Sequence, residues 1–281
     1  MPAVTTAELQ RLLDDDVPYG DLTTEALGIG DQAGVMAFAA RDPMVLALAE
    51  DAAALLRLCG CEVELFARSG DKLAAGAPIL VARGAASGLL RGWKVAQTLI
   101  EIWSGVATAT REIVEAARAV SPGIAIACTR KNTPGTKRFA VAAVKAGGAV
   151  MHRLGLSETI LVFAEHRAFL DEQLAATVAR LRAAAPEKKL ITEVASIDAA
   201  VAAAEAGFDV LQLEKFAPAD VAALAAHLAA TPHHPVIAAA GGVNASNAAA
   251  YAEAGAHVLV TSAPYMAKPR DVQVRISRDA K

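Results

Sequence analysis

The segment Thr129–Leu156, TRKNTPGTKRFAVAAVKAGGAVMHRLGL, carries Arg130, Lys131, Lys137, Arg138, Lys145, Arg153 and His152 and contains no Asp or Glu. The whole chain has 27 Lys+Arg against 30 Asp+Glu, so this positive run is a local feature of a mildly acidic protein. A concentration of uncompensated charge draws an anion. The alternative is a solvated basic face. Against it, TPGT and AGGA break the run with turn sequences that bring backbone close to a ligand, and Arg130-Lys131 directly follow the apolar run Ile124-Ala-Ile-Ala-Cys128. Cations at the C-terminal end of a buried strand stand where α/β proteins place their ligand sites.

Further polar residues fall at the ends of other apolar runs: Glu193, Glu214 with Lys215, Gly241-Gly242, and Thr261-Ser262. Glu193 and Glu214 suit a magnesium ion, which takes one or two carboxylates and completes its shell with water and substrate phosphate. Each could instead form a structural ion pair with a nearby Lys or Arg. In Ala238-Ala-Ala-Gly-Gly-Val-Asn244, two glycines and Asn244 as helix N-cap precede a helical pattern, an order that presents backbone N–H groups and a helix dipole to a phosphate. Gly-Gly can equally be a plain turn. His166 and His233-His234 read as structural or solvent-facing. A cationic pocket, a carboxylate pair for magnesium and a phosphate cradle together match the needs of transfer from phosphoribosyl diphosphate, where cations stabilise departing pyrophosphate and positioning sets the acceptor against the anomeric carbon.

These residues require a frame. From Ile124 on, short apolar runs at 124–128, 159–163, 189–194, 209–213, 235–239 and 257–261 alternate with Ala-rich helical patterns near 136–146, 171–184, 197–206, 218–229 and 245–254. The alternation predicts parallel strands with right-handed crossovers, closed or nearly closed into a barrel, with a doubly wound open sheet as the lesser option. Residues 1 to about 104 predict an α+β module. It has a helix at 6–13, a polar connection Tyr19-Gly-Asp-Leu-Thr-Thr24, strands near 35–40 and 61–67, and a hairpin over 69–84. A helix over 87–119 follows, and 272–276 alternates as an edge strand that returns to the N-terminal module.

Composition narrows the classes. Hydrophobic residues are 54% and aromatics 4% of 281 residues, which describes an Ala/Val/Leu core between strands and helices. No apolar run approaches the roughly 18 residues of a membrane span, and the N-terminal helix lacks the pattern of a secretion signal. Cys59, Cys61 and Cys128 have no zinc spacing, so a reducing cytoplasm is expected, where the Asn244-Ala-Ser246 sequon is without consequence. There is no Walker A sequence, and Gly28-Ile-Gly30 follows no strand. Neither nucleic acid nor membrane is expected as a partner.

The segments Gly20-Asp-Leu-Thr-Thr24, Ser104-Gly-Val-Ala-Thr108, Thr129-Arg-Lys-Asn-Thr-Pro-Gly135, His152-Arg-Leu-Gly-Leu156, Glu193-Val194, Leu213-Glu214 and Ala240-Gly-Gly242 together resemble the quinolinate phosphoribosyltransferase (nicotinate-nucleotide pyrophosphorylase) family, and within it the ModD branch associated with molybdenum-uptake genes. The resemblance implies an N-terminal α/β sandwich (1–104), an incomplete seven-stranded α/β barrel (105–268), a returning strand (269–281), and a homodimer or assembly of dimers with shared active sites. It implies that Arg130, Lys131, His152 and Arg153 face a dicarboxylate and the phosphoribosyl group. Glu193 and Glu214 would lie at magnesium and ribose, Gly241-Gly242 at phosphate, and Lys94 would replace an arginine lent by the partner. Lys131, Glu193 and Glu214 form the expected catalytic set; Lys215 and Ser262 join the substrate-binding group. Phe163 and Ala164 stand where the family has a lysine and an aspartate, Met151 and Ala240 where it has asparagine and serine. The phosphoribosyl half is thus retained and the acceptor half altered.

Three functions follow: a phosphoribosyltransferase with an acceptor related to quinolinate and a link to molybdenum metabolism; quinolinate phosphoribosyltransferase itself, serving NAD synthesis; or a non-catalytic protein holding a phosphorylated ligand or an oxyanion.

Overall fold

A computed structural model describes residues 3–279. The chain packs as two compact units. The first holds residues up to Arg111, Thr133–Gly148 and Pro264 onward; the second holds Glu112–Asn132 and Ala149–Ala263.

In the first unit α1 (Thr6–Asp16) starts with a capping box in which Thr5 and Glu8 satisfy each other's backbone N–H. The expected polar connection at 19–24 is half helix. Asp21 accepts from the N–H groups of Thr23 and Thr24, both at 3.1 Å, and so starts α2 (Leu22–Leu27). Then come β1 (Ala33–Ala40), β2 (Met44–Val45), α3 (Ala49–Leu58), β3 (Glu62–Leu65), β4 (Lys72–Leu73), β5 (Pro78–Ala85) and the 33-residue α4 (Ala86–Arg118), whose last turns belong to the second unit. The expected hairpin over 69–84 does not form: β4 pairs with β2, while β5 pairs antiparallel with β1 and β3. The Gly-Asp and Ala-Gly-Ala-Pro turns are real turn signals, but a turn does not choose the partner of the strand it releases.

The second unit contains β6 (Ala125–Cys128), which the segment carrying α5 (Lys137–Ala146) separates from β7 (Val150–Met151). It continues with β8 (Ile160–Val162), α6 (Ala164–Arg167), α7 (Leu174–Ala184), β9 (Leu190–Val194), α8 (Ile197–Ala206), β10 (Val210–Glu214), α9 (Pro218–Ala229), β11 (Val236–Ala240), α10 (Ala248–Glu253) and β12 (Val258–Thr261). The seven strands run parallel in the order β7-β6-β12-β11-β10-β9-β8, and β7 and β8 do not pair, so the barrel is incomplete. The apolar pattern gave six of these strands; β7, two residues long, is the seventh.

Register sets which side chains face the barrel interior. Glu193 lies opposite Gln212, Gln212 opposite Ala238, Ala238 opposite Val258 and Val258 opposite Ala125. One level nearer the C-terminal ends, Glu214 lies opposite Ala240 and Val260 opposite Ala127. Successive residues of a strand alternate faces, so Leu211 and Leu213, both fully buried, point toward the surrounding helices. Small interior residues leave volume below the strand ends. The 272–276 strand is realised as β13 (Val272–Arg278), antiparallel to β1 at the edge of the first unit's four-stranded sheet.

Candidate active site

A cavity of about 560 Å³ opens at the C-terminal ends of the parallel strands. It brings together Arg130, Lys131, His152, Arg153, Phe163, Glu193, Glu214, Gly241, Gly242 and Ser262, supplied at or just beyond the C-terminal ends of the seven strands.

The cationic wall is built by two adjoining strands. Thr129 N–H donates to the Thr261 carbonyl at 2.9 Å and His152 N–H to the Cys128 carbonyl at 2.8 Å, fixing Arg130-Lys131 beside His152-Arg153. Arg153 is 7% exposed and its guanidinium lies 5.7 Å from the Phe163 ring centre. Neither Arg130 nor Arg153 meets a carboxylate among the described residues. Burial and the neighbouring Arg130 charge hold Arg153 below its usual range, the mark of cations awaiting a counter-charge. Burial, reinforced by Arg153, lowers the His152 pKa. His152 is therefore a neutral imidazole at neutral pH.

Phe163 ends β8. Its N–H donates to His166 Nδ1 at 2.9 Å, and its ring stacks on the His166 imidazole at 5.8 Å and 19°. His166 thus caps the short helix after the strand, as a structural residue does.

Opposite stand the carboxylates. Glu193 accepts from Gln212 Nε2 at 2.7 Å. Burial raises its pKa and the charge of Glu214 adds to the rise, against the Gln212 hydrogen bond and Lys131. Glu214 sits at the end of β10, with Lys215 Nζ 3.9 Å away and largely exposed. Such a long, exposed contact is worth little, so the structural ion-pair reading of Glu214 is weak. Lys215 itself is left-handed (φ 58°) and does not line the cavity; it borders an adjoining depression with Ser196, Asp198 and Asp220, which shares Glu214 with the cavity.

Gly241 and Gly242 have φ of 82° and 90°, a backbone that only glycine adopts without strain. A Cβ on Gly241 would sit 2.8 Å from Lys215 N, whereas one on Gly242 would meet nothing. The expectation that Asn244 caps the following helix is corrected. The helix starts at Ala248 after Asn247, and Asn244 Oδ1 accepts instead from Ser246 N–H at 2.9 Å, closing the intervening turn. Asn244 and Asn247 amides both donate to the Gly242 carbonyl, at 3.0 and 3.1 Å, and so brace the Gly-Gly turn.

Lys94 is not in this cavity. It lines another, within the first unit, with Asp15, Asp16, Ile102, Trp103 and Phe139, and its Nζ lies 3.2 Å from Gln97 Oε1. Thr261, singled out with Ser262 at a strand end, lines the cavity, as do Thr129 and Asn244; sequence reasoning missed Gln212, which lines it too. Gln212 was legible in principle: two residues before Glu214 on one strand, it must share Glu214's face.

Among the described residues, no group of three or more His, Cys, Asp or Glu gathers as a metal cage, and no helix is long and apolar enough to cross a membrane.

The sequence matches the family of the quinolinate phosphoribosyl transferase N-terminal domain over residues 21–104 and of its C-terminal domain over residues 106–275. It is 50% identical to ModD of Rhodobacter capsulatus over 242 residues, 86% of this chain and 93% of that one. It is 33% identical to the human nicotinate-nucleotide pyrophosphorylase [carboxylating] over 263 residues, 93% of this chain and 87% of that one. The crystal structure of NadC from Streptococcus pyogenes superposes with a TM-score of 0.89 at 25% identity, over 98% of this chain and 96% of that one. Two family domains in the right order, an open seven-stranded barrel and a relative 50% identical over 242 residues place this chain in the quinolinate phosphoribosyltransferase family, in its ModD branch.

Proposed function

We propose that the protein transfers the phosphoribosyl group of phosphoribosyl diphosphate to a heterocyclic acid related to quinolinate, releasing pyrophosphate. The observation that carries this reading is the pair of uncompensated guanidiniums, Arg130 and Arg153, facing two carboxylates across one cavity at the strand ends. An anion binder has no use for Glu193 and Glu214 beside its ligand. A sugar phosphate that develops positive charge at its anomeric carbon does.

The donor set fits magnesium. Glu193 and Glu214 repel one another, enough to add to the rise in the Glu193 pKa, and a divalent cation relieves that repulsion while taking its remaining ligands from phosphate and water. Glu193 and Glu214 would hold it, and it would supply charge neutralisation at the departing pyrophosphate. The chain's own groups do the rest. Arg130 and Arg153 grip carboxylate or phosphate oxygens with planar forks, and Lys131 adds a point charge. Neutral His152 offers a hydrogen bond without competing for the anion. The Gly241-Gly242 turn lets a phosphate approach the backbone, and the Phe163 ring packs against the acceptor's ring. The acceptor's ring nitrogen then bonds to the anomeric carbon as the bond to pyrophosphate oxygen breaks, with the developing charge facing the carboxylates.

The reading includes a homodimer in which Lys94 serves the partner's cavity; its support is that Lys94 borders a pocket of its own within the first unit and does not line the site cavity. The tie to molybdenum metabolism rests on the resemblance to the ModD branch.

The test is pyrophosphate release by the purified protein with magnesium and phosphoribosyl diphosphate, comparing quinolinate, nicotinate and no acceptor, with calorimetry of donor binding. Magnesium-dependent donor binding that is lost in Glu214→Ala is expected. Absence of donor binding in the unaltered protein would refute the assignment.

A further inference from the structure

Gln212 is 6% exposed, in the middle of β10, and lines the floor of the cavity. Its Nε2 is committed to Glu193. Its Oε1 is buried and accepts from no group in the chain. Buried side-chain polar atoms are nearly always paired, and one that is not calls for an explanation. The surrounding wall cannot supply a donor: at the same level stand Glu193, an acceptor, and Ala238, Val258 and Ala125, which carry no polar side-chain atoms. Gln212 lines the cavity, which is the open side from which a donor can reach this level.

The rest of the cavity says what kind of molecule would bring it. Arg130, Lys131 and Arg153 hold an anionic edge, and Leu161 and Phe163 offer apolar and aromatic surface to a flat ring. At the level of Gln212 the groups without a donor of their own are its Oε1 and the Glu193 carboxylate, both acceptors. We infer that Gln212 is a specificity residue, and that its Oε1 receives a hydrogen bond from an N–H of the acceptor, which is a heterocyclic acid bearing an amino or lactam N–H away from its anionic edge. This rests on the phosphoribosyl-transfer reading for the word acceptor, not for the hydrogen bond. A pyridine carboxylate without such a group leaves Oε1 bare, and a site with a buried unpaired group discriminates strongly against the ligand that fails to pair it.

The probes are nicotinate and its 2-amino and 6-amino derivatives, titrated by calorimetry into the whole protein with magnesium, with and without phosphoribosyl diphosphate. The better amino isomer is expected to bind about five- to tenfold more tightly than nicotinate, the contribution of one buried hydrogen bond. In the near-isosteric Gln212→Met that ratio falls to about one. Equal binding of all three by the unaltered protein, no binding of any, or a ratio that survives in Gln212→Met overturns the inference. A separate titration of phosphoribosyl diphosphate alone decides the phosphoribosyl reading, so the two fail independently.

Discussion

Gly241→Ala and Gly242→Ala form a matched pair on which the site's construction can be tested. Both glycines have left-handed backbone, at φ 82° and 90°, so either alanine incurs about 1 kcal/mol of conformational strain. The pair differs in surroundings. At Gly242 the new methyl meets nothing within 4 Å. At Gly241 it falls 2.7 Å from Lys215 Cγ, 2.8 Å from Lys215 N and 3.0 Å from Glu214 Oε1. The side-chain contact can swing away; the backbone nitrogen cannot, because Lys215 N–H is tied to the Ala240 carbonyl at 2.8 Å. Overpacking of this kind costs a further 1–3 kcal/mol or so. Gly242→Ala should therefore lose about 1 kcal/mol and Gly241→Ala about 2–4 kcal/mol. At roughly 2–4 °C per kcal/mol for a chain of this size class, the melting temperatures of the two variants should differ by several degrees. Adding Lys215→Gly to Gly241→Ala removes the Cγ contact and the strain of a left-handed lysine, and should recover part of the loss while leaving the backbone part. Thermal and urea unfolding of the four proteins measures this. If Gly241→Ala were no less stable than Gly242→Ala, the close packing of the Gly-Gly turn on the Glu214-Lys215 corner would be refuted.

The Glu193 carboxyl, held above its usual range by burial first and then by Glu214, binds its proton more tightly in the folded than in the unfolded chain. Its contribution to stability is therefore full at acid pH and is lost as pH rises through the folded pKa. Glu193→Gln should raise the melting temperature at pH 7.5 and give no gain at pH 4, while weakening magnesium-dependent donor binding; a gain that does not depend on pH would contradict the assigned cause. Tyr251→Phe removes the buried hydroxyl that donates to the Phe216 carbonyl at 2.8 Å, and should cost about 1 kcal/mol in urea unfolding. Phe163→Lys should raise kcat/KM with quinolinate by adding a cation beside Arg153; unchanged kinetics would remove Phe163 from the basis of acceptor choice.

Much of the second unit was legible because its strands are short uninterrupted apolar runs and its helices are Ala-rich, so the change of pattern at each boundary is sharp. Site residues followed from the same cause: a charge just after such a run is at a strand end. What escaped had weak local signals. β7 is two residues between AGGA and His152, too short to show any period. α3 was missed because its sequence, AEDAAALLRL, is apolar on most sides. The helix is largely buried, and its N-cap, Leu48, makes no side-chain cap. Pairing partners in the first unit were not readable either, since β5 and β1 are joined by packing across the module and not by a common turn. Gln212 escaped because it is a single polar residue within an apolar run, with no charge to mark it.

The edge strand β13 pairs with β1 across most of the chain, Gly34 opposite Arg278 and Ala40 opposite Val272. During synthesis, β1 must therefore wait for more than two hundred further residues before its outer edge is covered. In that interval its AGVMAFAA sequence presents unpaired backbone and alternate apolar side chains, the kind of edge on which other chains can add. Closing so long a loop is also slow. The two units consequently differ in how they are born. The barrel strands pair mostly with neighbours made moments earlier, whereas the four-stranded sheet cannot be finished until the barrel's entire sequence has left the ribosome, and nascent chains of this family should lean on chaperones for that stretch of time.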